Sequence, residues 1–212
     1  MAYSSILKPS LYMNTKLYTG DGAASHAITG VGFQPDWVWL KNRSGADNNS
    51  LNDVVRGANK NLVSNNANSE ATTTDQLMSF NSDGFTVGAS GSANTNGNNF
   101  VGWNWKAGTA VSGSTTGSGT AKTYTGSVNT TSGFSIIILN STARDATGTQ
   151  FNSTVPTSSV FSIGSNNNMN QNDNSFIAYS FTNIKGFSKF AGYTGNNNAD
   201  GPFIYTGFKP AF

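Results

Sequence analysis

The chain has no cysteine, one histidine and a single glutamate in 212 residues. Each shortage excludes a kind of chemistry. Without cysteine there is no disulfide, no thiolate nucleophile and no zinc ribbon. Lys and Arg number 12 and Asp and Glu 10, so charged residues make up only 10% of the chain, against about 25% in an ordinary globular protein. The net charge is +2 and no basic run concentrates it, which argues against nucleic acid as a partner. The longest aliphatic run is Ile136-Ile137-Ile138-Leu139, far short of the roughly 18 residues that span a bilayer, so membrane insertion is not expected. The first residues show no charged segment followed by an apolar one, so no secretory signal is expected either.

Small polar residues replace the missing charge. Asn (29), Ser (27), Thr (24) and Gly (24) form about half of the chain. Aromatic residues are still 12%, with 14 Phe, which excludes a disordered tract and points to a core built largely of rings. A cysteine-free chain suits folding in a reducing cytoplasm, while an uncharged surface suits work outside a cell.

Gly, Asn, Ser and Thr are poor helix formers, and one short turn of helix around Asp75-Gln76-Leu77-Met78 is the best candidate. Strand signals are short, numerous and punctuated by Gly, Asn and Asp. They fall at residues 16–19, 36–41, 52–56, 77–80, 85–87, 100–105, 122–125, 133–139, 159–163, 176–181, 187–193 and 203–205. Asp83-Gly84 between apolar runs predicts a hairpin. Residues 100–105 alternate with period 2 and should bury one face. The expected fold class is all-β: an antiparallel β-sandwich or jelly roll with little or no helix.

An internal repeat organises the chain. Phe85-x-x-Gly88 recurs as Phe161-x-x-Gly164, and Phe100-x-x-Trp103-x-Trp105 as Phe176-x-x-Tyr179-x-Phe181, every pair about 76 residues apart. Tyr18-Thr19-Gly20 and Phe33-x-Pro35 recur as Tyr193-Thr194-Gly195 and Phe208-x-Pro210, about 175 residues on. Tyr124-Thr125-Gly126 reads as the counterpart of Tyr18-Thr19-Gly20 in an abbreviated second copy. The expected organisation is a complete β module at 1–108, a Gly/Ser/Thr-rich linker or loop at 109–132, and at 133–212 the second module with the start of a third. The alternative is one intertwined β-sandwich over 1–212.

Few residues offer catalysis. Glycoside hydrolysis needs two facing carboxylates, and most of the Asp residues lie in turns beside Gly or Asn. His26 has Ser25 beside it but no evident third partner for a triad. Calcium takes carboxylate and carbonyl oxygens; the runs 170–174 and 196–200 hold one carboxylate each, too little charge for a tight site, and Asn and Asp are simply good turn residues. No catalytic residue, metal or cofactor is therefore expected. Trp37, Trp39, Trp103 and Trp105 form two i, i+2 pairs. They suit either a sugar-stacking platform or core packing, and their counterparts Tyr179 and Phe181 favour packing.

Tyr18-Thr19-Gly20-Asp21-Gly22, the run from Gly32 to Arg43, Val54-Val55-Arg56-Gly57, the run from Ser79 to Gly88, and Trp103-Asn104-Trp105-Lys106-Ala107-Gly108 form a set of motifs. Together they resemble the repeat modules of marine tailed-phage virion proteins. The stretches Lys185 to Phe190 and Ala199 to Phe208 are similar to the junction between consecutive modules. Such modules are tail-fibre-like, of unknown function, and similar in strand pattern to concanavalin-type sandwiches. The resemblance implies a non-enzymatic structural protein, made in the host cytoplasm and displayed on the virion as a fibre or appendage. Other virion proteins and further copies of the chain (a homo-oligomer) are the expected partners, with host-surface carbohydrate a candidate ligand. A capsid decoration or cement protein without host ligand is the alternative, and a polysaccharide hydrolase a weaker one. Neutral loops suit sugars, so the candidate contact residues are Asn94, Asn96, Asn98 and Asn99 in one loop and Asn166, Asn168, Asn170, Asn172 and Asp173 in its repeat.

Overall fold

Alternation along residues 37–42 sets the architecture. Val38 and Leu40 point to one side of their strand and Trp37 and Trp39 to the other, and each pair enters a different core. A strand apolar on both faces belongs in the middle of three layers. In a computed structural model, which describes residues 4–115, 121, 123–140, 157, 161–164, 169, 171 and 174–210, that arrangement is found.

A 3₁₀ turn at Pro9–Leu11 precedes β1 (Met13–Thr19), β2 (His26–Thr29), β3 (Trp37–Asn42), β4 (Ser50–Asp53), β5 (Lys60–Val63), β6 (Ala71–Thr72), β7 (Leu77–Asn81) and β8 (Gly84–Val87). A single helical turn, α1 (Gly91–Asn94), leads to β9 (Asn99–Trp105), β10 (Thr109–Ser114), β11 (Thr123–Asn129), β12 (Phe134–Asn140) and β13 (Ser175–Phe181). The central sheet has the order β1-β9-β3-β4-β5-β6, a small sheet the order β2-β8-β7, and a C-terminal sheet the order β10-β11-β12-β13. All pairings are antiparallel. The all-β sandwich class is what the structure has, in three layers and, among the described residues, with no closed barrel.

The small sheet covers one face of the central sheet through Ile28, Leu77, Phe85 and Val87, packed against Val38 and Leu40. Each such buried side chain stabilises the fold by about 1.5–3 kcal/mol. Gly102 of β9 lies under Phe85: a Cβ there would stand 3.0 Å from the Phe85 ring and 3.3 Å from Leu40. The C-terminal sheet covers the other face. Phe134, Ile136, Ile177 and Tyr179 pack on Trp37, Trp39, Trp103 and Trp105, with Tyr179 stacked on Trp37 at 4.5 Å. The four tryptophans are thus core residues. Residues 100–105, expected to bury one face, bury both.

A buried polar knot fastens these two sheets. The Asp53 carboxylate accepts from Arg56 Nε at 2.5 Å and from the Tyr179 hydroxyl at 2.7 Å. Arg56 Nη2 donates to the same hydroxyl and to the Leu51 carbonyl, both at 2.9 Å. Burial and the neighbouring Asp53 charge push the Tyr179 pKa well above that of an ordinary phenol, so it stays a donor.

The structure also redraws the repeat. β9 and β13 match at the 76-residue offset, and each pairs with one antiparallel neighbour in the same register: Tyr18 faces Phe100 and Leu139 faces Phe176. Likewise Met13 faces Trp105 and Phe134 faces Phe181. β12 thus holds beside β13 the register position that β1 and β3 both hold beside β9, whereas Tyr124, in β11, pairs with β12 and not with β13. The linker assigned to 109–132 is corrected too, because β10 and β11 lie within it and build half of the C-terminal sheet. A boundary at 108 would cut through one shared core.

Three local expectations change for physical reasons. Asp75 to Met78 forms no helical turn, because Leu77 is needed in β7 against Val87. The strand expected to reach Arg56 stops at Asp53, whose carboxylate accepts the Val55 and Arg56 amides and turns the chain. Residues 187–193 and 203–205 have strand-like sequences but join no sheet among the described residues, Ser188 making only an isolated bridge to Ile184, and they are not strands. The strand expected at 159–163 lies partly outside the described residues, and the described part, 161–164, is not a strand.

Candidate functional site: an asparagine rim

One end of the central sheet gathers the loops. β1 ends at Thr19 opposite Asn99, where β9 begins. β3 ends at Asn42 opposite Phe100, β4 starts at Ser50 opposite Leu40, and β5 ends at Val63 opposite Ser50. Loops 20–25, 43–49, 64–70 and 95–98 therefore open on the same side. Their exposed residues are mostly Asn, Ser, Gly and Ala.

Two clasps order this rim. In the first, Asn94 is fully buried at the end of α1. Its amide nitrogen donates to Asp21 Oδ1 at 2.9 Å and to the Ala23 carbonyl at 3.1 Å. Its amide oxygen accepts from the Asp21 backbone at 3.0 Å and lies 2.9 Å from His26 Nδ1. Loop 20–25 is thereby tied to loop 95–98, and Gly20 must be glycine because a Cβ would collide with the Thr95 carbonyl oxygen. The Ala23 amide, the Asn94 side chain and His26 hold the Asp21 carboxyl below its usual pKa. In the second clasp, Asn65 Nδ2 donates to Asn48 Oδ1 at 2.9 Å while Asn65 Oδ1 accepts the Asn49 amide at 3.0 Å. A bond of 2.9 Å from the Asn99 amide to Ser44 Oγ links the two.

Of the residues expected to contact a ligand, Asn94 is corrected. It is a buried tie, its polar atoms consumed by loop 20–25, and it presents nothing to solvent. Asn96 and Asn99 are exposed and Asn98 is half-buried on the rim, with Asn99 Oδ1 accepting the Thr19 hydroxyl at 3.3 Å. Asn166, Asn168, Asn170, Asn172 and Asp173 lie outside the described residues. Sequence reasoning missed Ser44, Asn48, Asn49 and Asn65. Asparagine doublets on both sides of the β4–β5 hairpin, Asn48-Asn49 and Asn65-Asn66, were the available signal. His26 has Asp21, 3.4 Å away, and Asn94 both on its Nδ1 side, a structural arrangement that closes the loop. Among the described residues, no three His, Asp or Glu side chains gather as a metal site.

The fold and rim define a class: a layered all-β protein in which an antiparallel strand pair, β1·β9 and then β12·β13, recurs and the loops at one end of the central sheet form a pre-ordered edge rich in Asn, Ser, Gly and Ala. One family model, a domain of unknown function (DUF7483), matches residues 8–148 and again residues 136–212. The chain belongs to this family. Its second match opens inside β12, where it overlaps the end of the first. No curated protein and no solved structure matches the chain.

Proposed function

We propose that this protein is a non-enzymatic structural component of a phage particle, displayed on its surface as a fibre or appendage, with the rim contacting neutral glycans of the host surface. The observation that carries the glycan reading is the pair of clasps. They fix an edge rich in amide and hydroxyl groups before any ligand arrives, which reduces the ordering cost of binding. Sugars offer hydroxyls in the same neutral donor and acceptor chemistry. Such contacts are insensitive to salt, because no exposed charge pair carries them. One hydrogen bond contributes only about 0.5–1.5 kcal/mol net, so useful adhesion comes from many copies presented together. The particle reading is supported by the motif resemblance described above, with other virion proteins as partners and synthesis in the host cytoplasm.

Antibody-labelled electron microscopy of purified particles tests the location. Label on the tail or on a few projecting fibres is the expected result. Label spread over the whole shell would favour capsid decoration, and absence of label would sink the particle reading. For the rim, a glycan array probed with the protein and with Asn48→Ala/Asn96→Ala/Asn99→Ala should show binding to neutral glycans that the variant loses. Equal binding by both proteins would remove the rim from the proposal.

A further inference from the structure

Large hydrophobic side chains are exposed in an uneven way. Among the described residues, every one except Met78 belongs either to the N-terminal arm and β1, through Leu7, Leu11 and Leu17, or to the C-terminal stretch from Phe181 to Tyr205. Phe203 is 90%, Tyr205 77% and Tyr193 71% exposed, and Leu7 88%. The two segments meet, with the rings of Tyr12 and Phe187 in edge contact at 6.5 Å. Apolar exposure gathered this way marks an interaction surface.

The repeat indicates what kind of partner covers it. Tyr193, Phe203 and Phe208 stand 175 residues after Tyr18, Ile28 and Phe33. In the first copy Tyr18 stacks on Phe100 at 5.1 Å, and Ile28 and Phe33 are buried. The tail thus carries a sequence whose apolar residues are elsewhere covered by strands of this same fold. β1 offers it a place. The Lys106 amide bonds the Tyr12 carbonyl at 2.8 Å, which in an antiparallel ladder turns the backbone groups of residues 12, 14, 16 and 18 toward β9 and those of Thr15 and Leu17 outward. β1 is the edge of its sheet, so among the described residues those outward groups pair with no strand. The net charge of +2 over 212 residues puts no strong repulsion between copies.

We propose that this terminal face joins two copies of the chain, the C-terminal stretch of one copy lying along the N-terminal arm and open β1 edge of the next. The contact is heterologous, tail onto edge, so it extends from copy to copy unless a ring closes. It does not rest on the proposed glycan contact or on the particle reading, and it gives the expected homo-oligomer a surface.

Sedimentation velocity of the full chain across a range of concentrations tests it, with two variants checked for native circular dichroism. Phe203→Ser/Tyr205→Ser disables the tail and Leu17→Lys the receiving edge. The full chain should associate, and each variant alone should weaken association by about tenfold or more. Mixing the two variants should restore association in part, because an intact tail then meets an intact edge. A full chain that stays monomeric at every concentration would overturn the proposal. So would a tail variant that associates like the parent, or a mixture that fails to recover.

Discussion

β9 and β13 are two uses of one pattern. Trp103 and Trp105 in the first correspond to Tyr179 and Phe181 in the second, and both pairs enter the shared core. Their surroundings differ. β9 has a strand on each side and a sheet on each face, whereas β13 pairs only with β12 among the described residues. Pairing register and core-facing residues are retained between the copies, while the number of neighbours is not. The repeated element is therefore the two-strand unit, and the rest of each copy is built around it.

The largest effect that can test this contrast comes from truncating the same position in both strands. Trp105→Ala should cost about 3–5 kcal/mol, the usual range for an aromatic core residue. Phe181→Ala, at a 38% exposed position, should cost less than half as much. Urea unfolding followed by far-ultraviolet circular dichroism measures both, and equal losses would mean that β13 is as enclosed as β9.

Tyr179→Phe removes the hydroxyl between Asp53 and Arg56 and should cost about 1–3 kcal/mol, because both charged partners stay buried with a bond missing. Gly102→Ala should destabilise by about 1–3 kcal/mol through overpacking, since the new methyl meets Phe85. The corresponding residue of β13 is already Ala178, and Ala178→Gly should cost no more than about 1 kcal/mol. A tolerated Gly102→Ala would show that Phe85 can move.

The smallest effect is one of pH. The amides of Gly32 at 2.6 Å and Gly30 at 2.9 Å bond the Asp83 carboxylate and lower its pKa, with Lys16 adding to the shift. The unfolded chain then binds a proton more readily than the native one, so this contribution is present above the unfolded pKa of about 4 and is lost as pH falls through the lower native value. The stability difference between the parent and Asp83→Asn should therefore shrink as pH is lowered below that point. A constant difference would place the effect of Asp83 in turn shape and not in its charge.

What sequence alone conveys follows from chemistry that is strictly local. Phe100-x-x-Trp103-x-Trp105 announces a strand, and its recurrence announces a repeat, because ring spacing is visible without partners. β10 was hidden, and of β11 only the start, at 122–125, was legible. Thr109 to Ser114 has almost no apolar alternation, and its strand character comes from pairing with β11. The Tyr124-Thr125-Gly126 match misled because three shared residues imitate the end of β1, whereas register assigns that position to the chemically different Leu139. Asn94 looked like its neighbours in an Asn-rich loop. Asp21 and Ala23, 73 and 71 residues away in sequence, make it a buried tie, and no periodicity reports such contacts.

β9 has a further consequence for how the chain is made. It completes the middle of the central sheet, yet its partners β1 and β3 are synthesised long before it, with Met13 waiting for Trp105. A ribosome adding about 5–20 residues per second leaves those strands without their shared neighbour for several seconds, and pairing across such separations is slow once it becomes possible. Throughout that interval the alternating Trp37-Val38-Trp39-Leu40 segment is a nascent sheet edge, apolar on both faces. The same strand that locks the finished protein is thus the reason its first half is born needing protection.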